Sequence, residues 1–256
     1  MAIAQRSTSV ASLGNGDSGY HTVDRWNYSE PTAGHITSVA VWTQTQETLT
    51  SGAAWEDGFT KALKMDCTTA DASLSGADDA AFIEYKIEGA DVKAFKKGTP
   101  NAQPYTLAFW VKATKTGTNC VNLFDRTNDR YIAAAYTIST TNTWEKKVIN
   151  FVADTTGSIA AGTWYQGENG EGMKLTFGVY AGTNYTSSYL QTSWGSWASN
   201  RRLYGQVNNA DSTSNNWHIT GIQLEVSKSI VSIKAKKVDW RTFTEIAESA
   251  QPPFSK

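Results

Sequence analysis

Residues 105–113, YTLAFWVKA, alternate strictly between two sets of side chains. One set is apolar throughout: Tyr105, Leu107, Phe109 and Val111. A period of two places one set in a core, because successive side chains of a β-strand point to opposite faces of the sheet. The aromatic and β-branched content also favours a strand. We therefore predict a strand here, with one face buried and with partner strands elsewhere in the chain.

Further segments repeat this alternation. We predict additional strands at residues 36–43, 62–67, 80–88, 119–125, 130–138, 143–152, 172–180 and 217–226. In the second half of the chain, the apolar parity of the last strand switches across Thr220-Gly221, which predicts a β-bulge. Glu84 lies on the parity of its strand that we expect to face water. Residues 1–30 and 44–61 have polar, turn-rich sequences, and we expect them to be irregular.

No helical pattern separates these strands. Strands spaced by turns alone predict an all-β fold, namely an antiparallel β-sandwich or jelly roll over residues 1–227. The chain of 256 residues is long enough for one large β domain.

The composition excludes several classes of protein. A net charge of -1 argues against a general nucleic-acid binder or a membrane-surface binder. No run approaches the length of a membrane span, and the N-terminus lacks a signal-peptide pattern. We therefore expect neither nucleic acid nor membrane as a partner. Cys67 and Cys120 form one disulfide or remain as two buried free thiols, and the absence of an export signal favours free thiols.

Catalytic patterns are missing from the sequence. The three histidines fall in no metal-binding spacing, and there is no nucleophile elbow, phosphate-binding loop or dinucleotide fingerprint. We expect His218, inside a strand, to be an ordinary sheet-face residue. We therefore predict no catalytic residues and a protein that is not an enzyme.

A turn between two strands carries the one candidate metal site, with no other cofactor expected. Asp125 and Asp129 flank this turn, and their oxygens are suited to calcium. Capping of the turn is the commoner use of such residues. Both interpretations are open from the sequence.

Six aromatic residues lie among Asn, Gln, Ser and Thr in two long irregular segments: Trp164, Tyr165, Tyr185, Tyr189, Trp194 and Trp197. Flat apolar rings with hydrogen-bonding surroundings match the two kinds of surface that a sugar presents, so these residues are a candidate glycan platform. The alternative is that the rings fill the core or a subunit interface. The 10 Trp of the chain favour this alternative, since most of them require burial.

The last residues, 228–256, form a basic C-terminal extension. In it, Trp240, Phe243 and Ile246 recur at helical spacing. Such a segment docks on a partner protein or packs back on the sandwich, and the sequence supports both interpretations.

Five parts of the chain occur together in a recognisable order: residues 5–9 with Tyr20 and 24–26, then 87–89, 106–118, 136–151 and 217–226. Together they resemble a β-sandwich domain common in tailed-phage structural proteins, over residues 3–226. The resemblance implies a jelly roll similar to carbohydrate-binding modules, found in tail fibres and other virion proteins, particularly of phages that infect marine bacteria. It implies a non-enzymatic particle component and carries no catalytic residues.

The chain departs from that family at both ends. The family usually places the domain behind an anchoring or fibre-forming segment, whereas here Met1 opens almost directly on it. The family also closes with a Thr-Pro-Phe-Glu type ending, in place of which this chain has residues 228–256. We therefore expect attachment through the extension.

The expected role is an accessory on the virion surface, either a capsid decoration or a fibre- or tail-associated protein. Its expected partners are other virion proteins, further copies of itself and a host-surface glycan. The competing interpretations are a carbohydrate-binding module or weak polysaccharide depolymerase, and a purely assembling protein that cements neighbouring subunits.

Overall fold

The computed structural model of the protein describes residues 1–31, 34–157 and 170–226. In these ranges the chain forms two antiparallel sheets packed face to face, so the predicted all-β sandwich is confirmed. Residues 228–256, with the candidate docking residues Trp240, Phe243 and Ile246, lie outside the described residues.

The described strands are, in chain order, β1 (Ser9–Leu13), β2 (Ser18–Tyr20), β3 (Trp26–Ser29), β4 (Val41–Thr48), β5 (Lys61–Thr69), β6 (Ala80–Glu88), β7 (Tyr105–Ala113), β8 (Gly117–Asp125), β9 (Arg130–Ile138), β10 (Glu145–Phe151), β11 (Glu171–Ala181), β12 (Gly195–Ser196) and β13 (Asn216–Val226). The helices are single turns: α1 (Ala53–Glu56), α2 (Gly89–Val92) and α3 (Thr183–Thr186), with 3-10 turns at Lys93–Phe95 and Ser199–Arg201. Among the described residues, no helix has the length and apolar character needed to cross a membrane.

Sheet A has the strand order β1-β4-β5-β13-β7-β10, and sheet B has the order β12-β9-β8-β11-β6-β3-β2. The last strand in the chain, β13, thus lies in the middle of sheet A, hydrogen-bonded to β5 on one side and to β7 on the other. Strand β11 holds the corresponding place in sheet B, between β8 and β6. The two inner faces meet to form the core.

Aromatic rings dominate this core. The four apolar residues of the alternating set in β7 are fully buried. Phe109 of that set packs edge-to-face on Phe177 of sheet B, with ring centroids 5.1 Å apart. The opposite face of β7 is covered as well, because Trp110 packs in a second cluster with Trp144 and the α1 region and is only 8% exposed. The alternation predicted one buried face, whereas β7 is buried on both.

The predicted boundaries are accurate where alternation is clean, since 80–88, 105–113 and 130–138 coincide with β6, β7 and β9. The prediction for the N-terminal part is wrong in two respects. The strand predicted at 36–43 begins at Val41 and continues to Thr48, and residues 1–30 contain β1, β2 and β3. These strands lie at or next to sheet edges, where polar side chains and glycine are tolerated and apolar alternation is weak.

The predicted β-bulge is confirmed. The register between β13 and β7 shifts between Thr220 and Gln223. Gly221, inside this shift, has φ +61°, and a Cβ added there would lie 2.8 Å from the ring of Phe59. Glycine is therefore required at this position by its backbone and by its neighbour.

Cys67 and Cys120 are free and buried, which confirms the interpretation of two free thiols. Burial raises the pKa of Cys67 to about 11 and that of Cys120 to about 12. Both thiols therefore remain protonated at neutral pH.

Candidate functional site

A cleft of about 540 Å³ lies on the outer face of sheet B. Its base is formed by outward-facing side chains of the strands, including Phe82 and Glu84 of β6 and Lys174 of β11. The rest of the lining comes from Tyr185, Trp197 and Arg202 in the segment that follows β11, from residues 29–31, and from the β8–β9 turn, which lies next to Trp197. The cleft thus has an aromatic wall, a charged base and an open top.

The segment after β11 folds back over sheet B because small residues leave room for it. A Cβ at Gly178 would lie 2.8 Å from the side chain of Leu203, so the absence of one allows Leu203 to sit on the sheet. Leu203 is fully buried there in a cluster with Phe82 and Cys120. This anchor places Arg202 over the outer face of β6.

Trp197 forms the aromatic wall of the cleft. Its ring lies 4.4 Å from the ring of Phe124 and 5.5 Å from that of Tyr131, measured between centroids. The backbone holds it in place, because the Trp197 N–H donates to the carbonyl of Asp129 at 2.8 Å and the Tyr131 hydroxyl donates to the carbonyl of Ala198 at 2.8 Å. Trp197 is therefore half-buried and held by ring packing and by hydrogen bonds of the neighbouring backbone.

Arg202 is a buried cation in the lining of the cleft, with 6% of its surface exposed. Its guanidinium carbon lies 4.4 Å from the ring of Trp197, 4.8 Å from that of Phe82 and 5.9 Å from that of Tyr185. Within the ranges that the structure describes, this guanidinium forms no hydrogen bond and no ion pair. Burial lowers the pKa of Arg202, and the negative charge of Glu84 opposes that shift.

The nearest carboxylate already has a counter-ion. Glu84 accepts a charged hydrogen bond from Lys174 at 2.8 Å and a weaker one from the Thr176 hydroxyl at 3.4 Å. Glu84 is only 6% exposed, so the expectation that it faces water is wrong. The chain after α3 covers this face of sheet B, which alternation within β6 alone does not reveal.

Asn122 of β8 lies opposite Thr176 in the register of the same sheet. It is fully buried, and neither the oxygen nor the nitrogen of its amide has a partner among the described residues. An unpaired buried amide is costly and is rare in folded proteins. The outer face of sheet B therefore contains both a cation and an amide whose bonding capacity is unused.

The predicted glycan-platform residues differ in whether they line the cleft. Tyr185 and Trp197 line the cleft, and Tyr185 packs edge-to-face on Phe82 with centroids 5.5 Å apart. Tyr189 lies outside the lining, 52% exposed, with the Arg201 guanidinium 4.5 Å from its ring. Trp164 and Tyr165 lie outside the described residues.

Trp194 points the other way, toward the core. Its ring packs edge-to-face on Tyr105 at 6.3 Å, and its Nε1 donates to the carbonyl of Val152 at 2.8 Å. The Lys97 ammonium lies 5.3 Å from the same ring. Trp194 is thus packed against the sandwich and is not part of the lining of the cleft.

Sequence reasoning missed Phe82, Asn122, Lys174 and Arg202. Phe82 carried a usable signal, since a large aromatic residue on the water-facing parity of β6 indicates that something covers that face. Lys174 and Asn122 occupy ordinary strand positions, and Arg202 lies in an irregular segment. Their place near the cleft depends on how the segment after β11 folds over sheet B. No local sequence pattern therefore indicates it.

The turn with the calcium candidates is held by protein side chains. The Asp125 carboxylate accepts from the Asn128 side chain at 2.7 Å and its N–H at 3.2 Å, as in a capped turn, and it also pairs with Lys97. Asp129 is exposed at the rim of the cleft. In the described part of the chain, no three His, Cys, Asp or Glu side chains are grouped to hold a metal ion.

His218 is a sheet-face residue, as predicted. Its Nδ1 lies 2.7 Å from the Glu47 carboxylate and its Nε2 lies 2.9 Å from the Asn216 amide oxygen. Burial lowers the pKa of His218, and the bond with Glu47 opposes that shift. Both ring nitrogens are thus engaged within sheet A.

No protein-family model and no curated protein matches the chain. Among solved structures, it is similar to the enzymatically active domain of tailspike protein 4 of bacteriophage CBA120, with 12% identity and a TM-score of 0.42 over 85% of this chain. The chain spans 21% of that tailspike structure. It is also similar to the CBM22-2 xylan-binding domain of Xyn10C from Paenibacillus barcinonensis, with 9% identity and a TM-score of 0.36 over 85% of this chain and 98% of that one.

A third similar structure is CBM28, a carbohydrate-binding module specific for non-crystalline cellulose, with 11% identity and a TM-score of 0.33. The match covers 88% of this chain and 90% of that one. Similarities of this size concern the arrangement of strands and say nothing about function.

Proposed function

We propose that this protein is a non-enzymatic structural component of a tailed-phage particle that binds a host-surface glycan in the cleft on sheet B. It is displayed on the particle surface as a capsid decoration or as a fibre- or tail-associated protein, in several copies. The particle role is supported by the sequence resemblance over residues 3–226. The glycan role is supported by the cleft itself.

One observation carries the glycan proposal: fixed aromatic rings and unused polar groups occur together in one open cleft. The half-buried ring of Trp197 is a flat apolar group in the lining, and the Arg202 guanidinium carbon lies 4.4 Å from it and 5.9 Å from the ring of Tyr185. Sugars have apolar C–H faces that pack on such rings, and hydroxyl groups that bond to polar side chains at the same time.

The competing proposal, a weak polysaccharide depolymerase, is favoured by Glu30. Burial raises the pKa of Glu30, as a general acid requires. However, Glu30 accepts hydrogen bonds from the hydroxyls of Tyr28 and Tyr180 at 2.5 and 2.9 Å and from the Gly16 N–H at 2.8 Å. Retaining and inverting glycosidases use a second carboxylate across the substrate, and Glu84 is neutralised by Lys174. These contacts support a binding role for the cleft.

A glycan array with two tryptophan variants tests the proposed ligand class. Trp197→Ala removes the wall of the cleft, and we expect binding to fall about tenfold or more. Trp194→Ala is the matched control, because this ring packs on Tyr105 outside the cleft. Thermal unfolding of both variants accounts for any general loss of structure. Equal binding by wild type and Trp197→Ala would refute the cleft as the glycan site, and no glycan bound by wild type would refute glycan binding itself.

The particle role is tested by removing residues 228–256. Attachment through the extension predicts loss of the protein from purified particles while the sandwich keeps its unfolding transition. A reconstruction of the intact particle locates the protein and gives its copy number. Retention of the truncated protein on the particle would exclude attachment through the extension.

A separate assay tests the competing depolymerase proposal. Release of sugar from a bound polysaccharide, abolished by Glu30→Gln, would favour the depolymerase over the binding protein.

A further inference from the structure

Arg202 is the unusual group in the cleft, because a buried charge is normally paired. It is 6% exposed, yet no carboxylate, carbonyl or hydroxyl of the described chain bonds to its guanidinium. Three aromatic rings surround it and offer partial compensation through their negative faces. The buried Nε–H of the guanidinium still has no hydrogen-bond partner among the described residues, and unpaired buried charges are strongly unfavourable.

The other buried charges of the cleft are already engaged. Lys174 and Glu84 form a pair at 2.8 Å, and Glu30 accepts three hydrogen bonds from the protein. Asp129, the remaining carboxylate in the lining, is exposed at the rim. Arg126, a further cation in the lining, is also exposed and has an interaction of its own. Among the described residues of the lining, Arg202 is therefore the buried charge without a hydrogen-bonded counter-ion.

We propose that the cleft selects a sugar that carries a carboxylate, such as a uronic acid, with the carboxylate bound by Arg202. This inference rests on the proposed glycan-binding function and specifies its ligand class. A guanidinium presents two parallel N–H donors that match the two oxygens of a carboxylate. Packing on Trp197, Phe82 and Tyr185 fixes the plane of this group in advance, so little conformational freedom is lost on binding. The ring of the sugar then lies along Trp197.

Binding measurements with matched sugars test this inference on the wild-type protein. The probes are oligosaccharides of galacturonate, glucuronate, mannuronate and guluronate, each compared with its carboxyl-reduced neutral form. We expect at least one acidic oligomer to bind about tenfold more tightly than its neutral counterpart, because a charge-assisted bidentate contact is lost on reduction. This comparison does not depend on the folding of any variant.

Variants at two adjacent arginines locate the preference. Arg202→Lys keeps the positive charge and removes the planar fork, and we expect it to lose most of the preference for the acidic oligomer. Arg201→Gln is the matched control, because Arg201 stacks on Tyr189 outside the cleft and is expected to leave the preference unchanged. Thermal unfolding confirms that each variant is folded.

The outcomes are distinguishable. Equal binding of acidic and reduced oligomers would overturn the inference and leave glycan binding intact. Preference for a sulfated sugar over every uronate would overturn the choice of carboxylate. Binding of no oligosaccharide at all would overturn this inference together with the proposed function. An unchanged preference in folded Arg202→Lys would assign the preference to another group.

Discussion

The ammonium nitrogen of Lys97 lies 3.0 Å from a carboxylate oxygen of Asp154, and the two side chains are 0% and 2% exposed. Lys97 also pairs with Asp125 and donates to the carbonyl of Gly157 at 3.0 Å. Arg130 donates hydrogen bonds to both oxygens of the Asp154 carboxylate, at 3.0 and 2.9 Å. This buried network ties the segment after α2 to the β8–β9 hairpin and to the chain that follows β10.

Lys97→Ala tests the strength of this network. Removing one member of a buried ion pair leaves its partners charged and uncompensated, so we expect the free energy of unfolding to fall by about 3–5 kcal/mol. Urea denaturation measures the change. Lys86→Ala is the control, since Lys86 is half exposed and lies 3.6 Å from Glu171, and we expect a loss below about 1 kcal/mol. Similar losses in the two variants would contradict the prediction.

The same network makes stability depend on pH in a defined direction. Burial alone would raise the pKa of Asp154, but the bonds from Arg130 and Lys97 outweigh it and lower that pKa. A lowered folded-state pKa stabilises the protein above the unfolded value, near pH 4, and this contribution is lost as the pH falls through the lower folded value.

We therefore expect Asp154→Asn to flatten the decline of stability below about pH 4. Urea midpoints measured between neutral and strongly acidic pH give the slope. Glu56→Gln, at an exposed position in α1, is the control and is expected to keep the wild-type slope. If stability falls with acid pH equally in wild type and Asp154→Asn, Asp154 does not contribute to the pH dependence of stability.

Gly221→Ala tests the bulge in β13. The substitution introduces strain at φ +61° and a contact of 2.8 Å with the ring of Phe59. Gly205→Ala is the matched control, because Gly205 has φ +86° but its nearest neighbour, Thr118, lies 3.6 Å away. We expect Gly221→Ala to lose about 1–3 kcal/mol more than Gly205→Ala, as overpacking does. Equal losses of unfolding free energy in the two variants would show that the whole destabilisation comes from backbone strain.

The two thiols provide a further test. Cys67 and Cys120 are 3% and 0% exposed, and their raised pKa values, about 11 and about 12, keep them protonated. We expect neither thiol to react with Ellman's reagent at pH 8 in the native protein, and both to react in denaturant without reductant. Rapid reaction of the native protein would contradict their burial, and no reaction after unfolding would indicate a disulfide.

The sequence predicted the central strands well because burial on one face imposes a period of two. The pattern in 105–113 identifies β7 to the residue, and the change of parity at Gly221 identifies the bulge. It failed for β1 and β2, which lie at sheet edges with most of their side chains exposed, so no period of two is imposed. It also failed for β3, whose side chains are mostly buried but whose four residues are too few to show a period.

The site was harder to predict because it depends on how one loop lies on the sheet. Trp194 and Trp197 are three residues apart, on either side of β12. In extended chain, residues separated by an odd number point to opposite sides, so Trp194 meets the core and Trp197 meets the cleft. Aromatic composition identified both residues, but the position of β12 against β9 determines which one can reach a ligand.

The place of β13 has a consequence for synthesis of the protein. It is made after every other described strand, yet it fills the gap between β5 and β7 in sheet A. A nascent chain that has not yet released residue 226 from the ribosome therefore leaves the facing edges of β5 and β7 without their shared neighbour. Sheet A closes only after β13 emerges, and until then the unfinished sheet exposes strand edges to other chains.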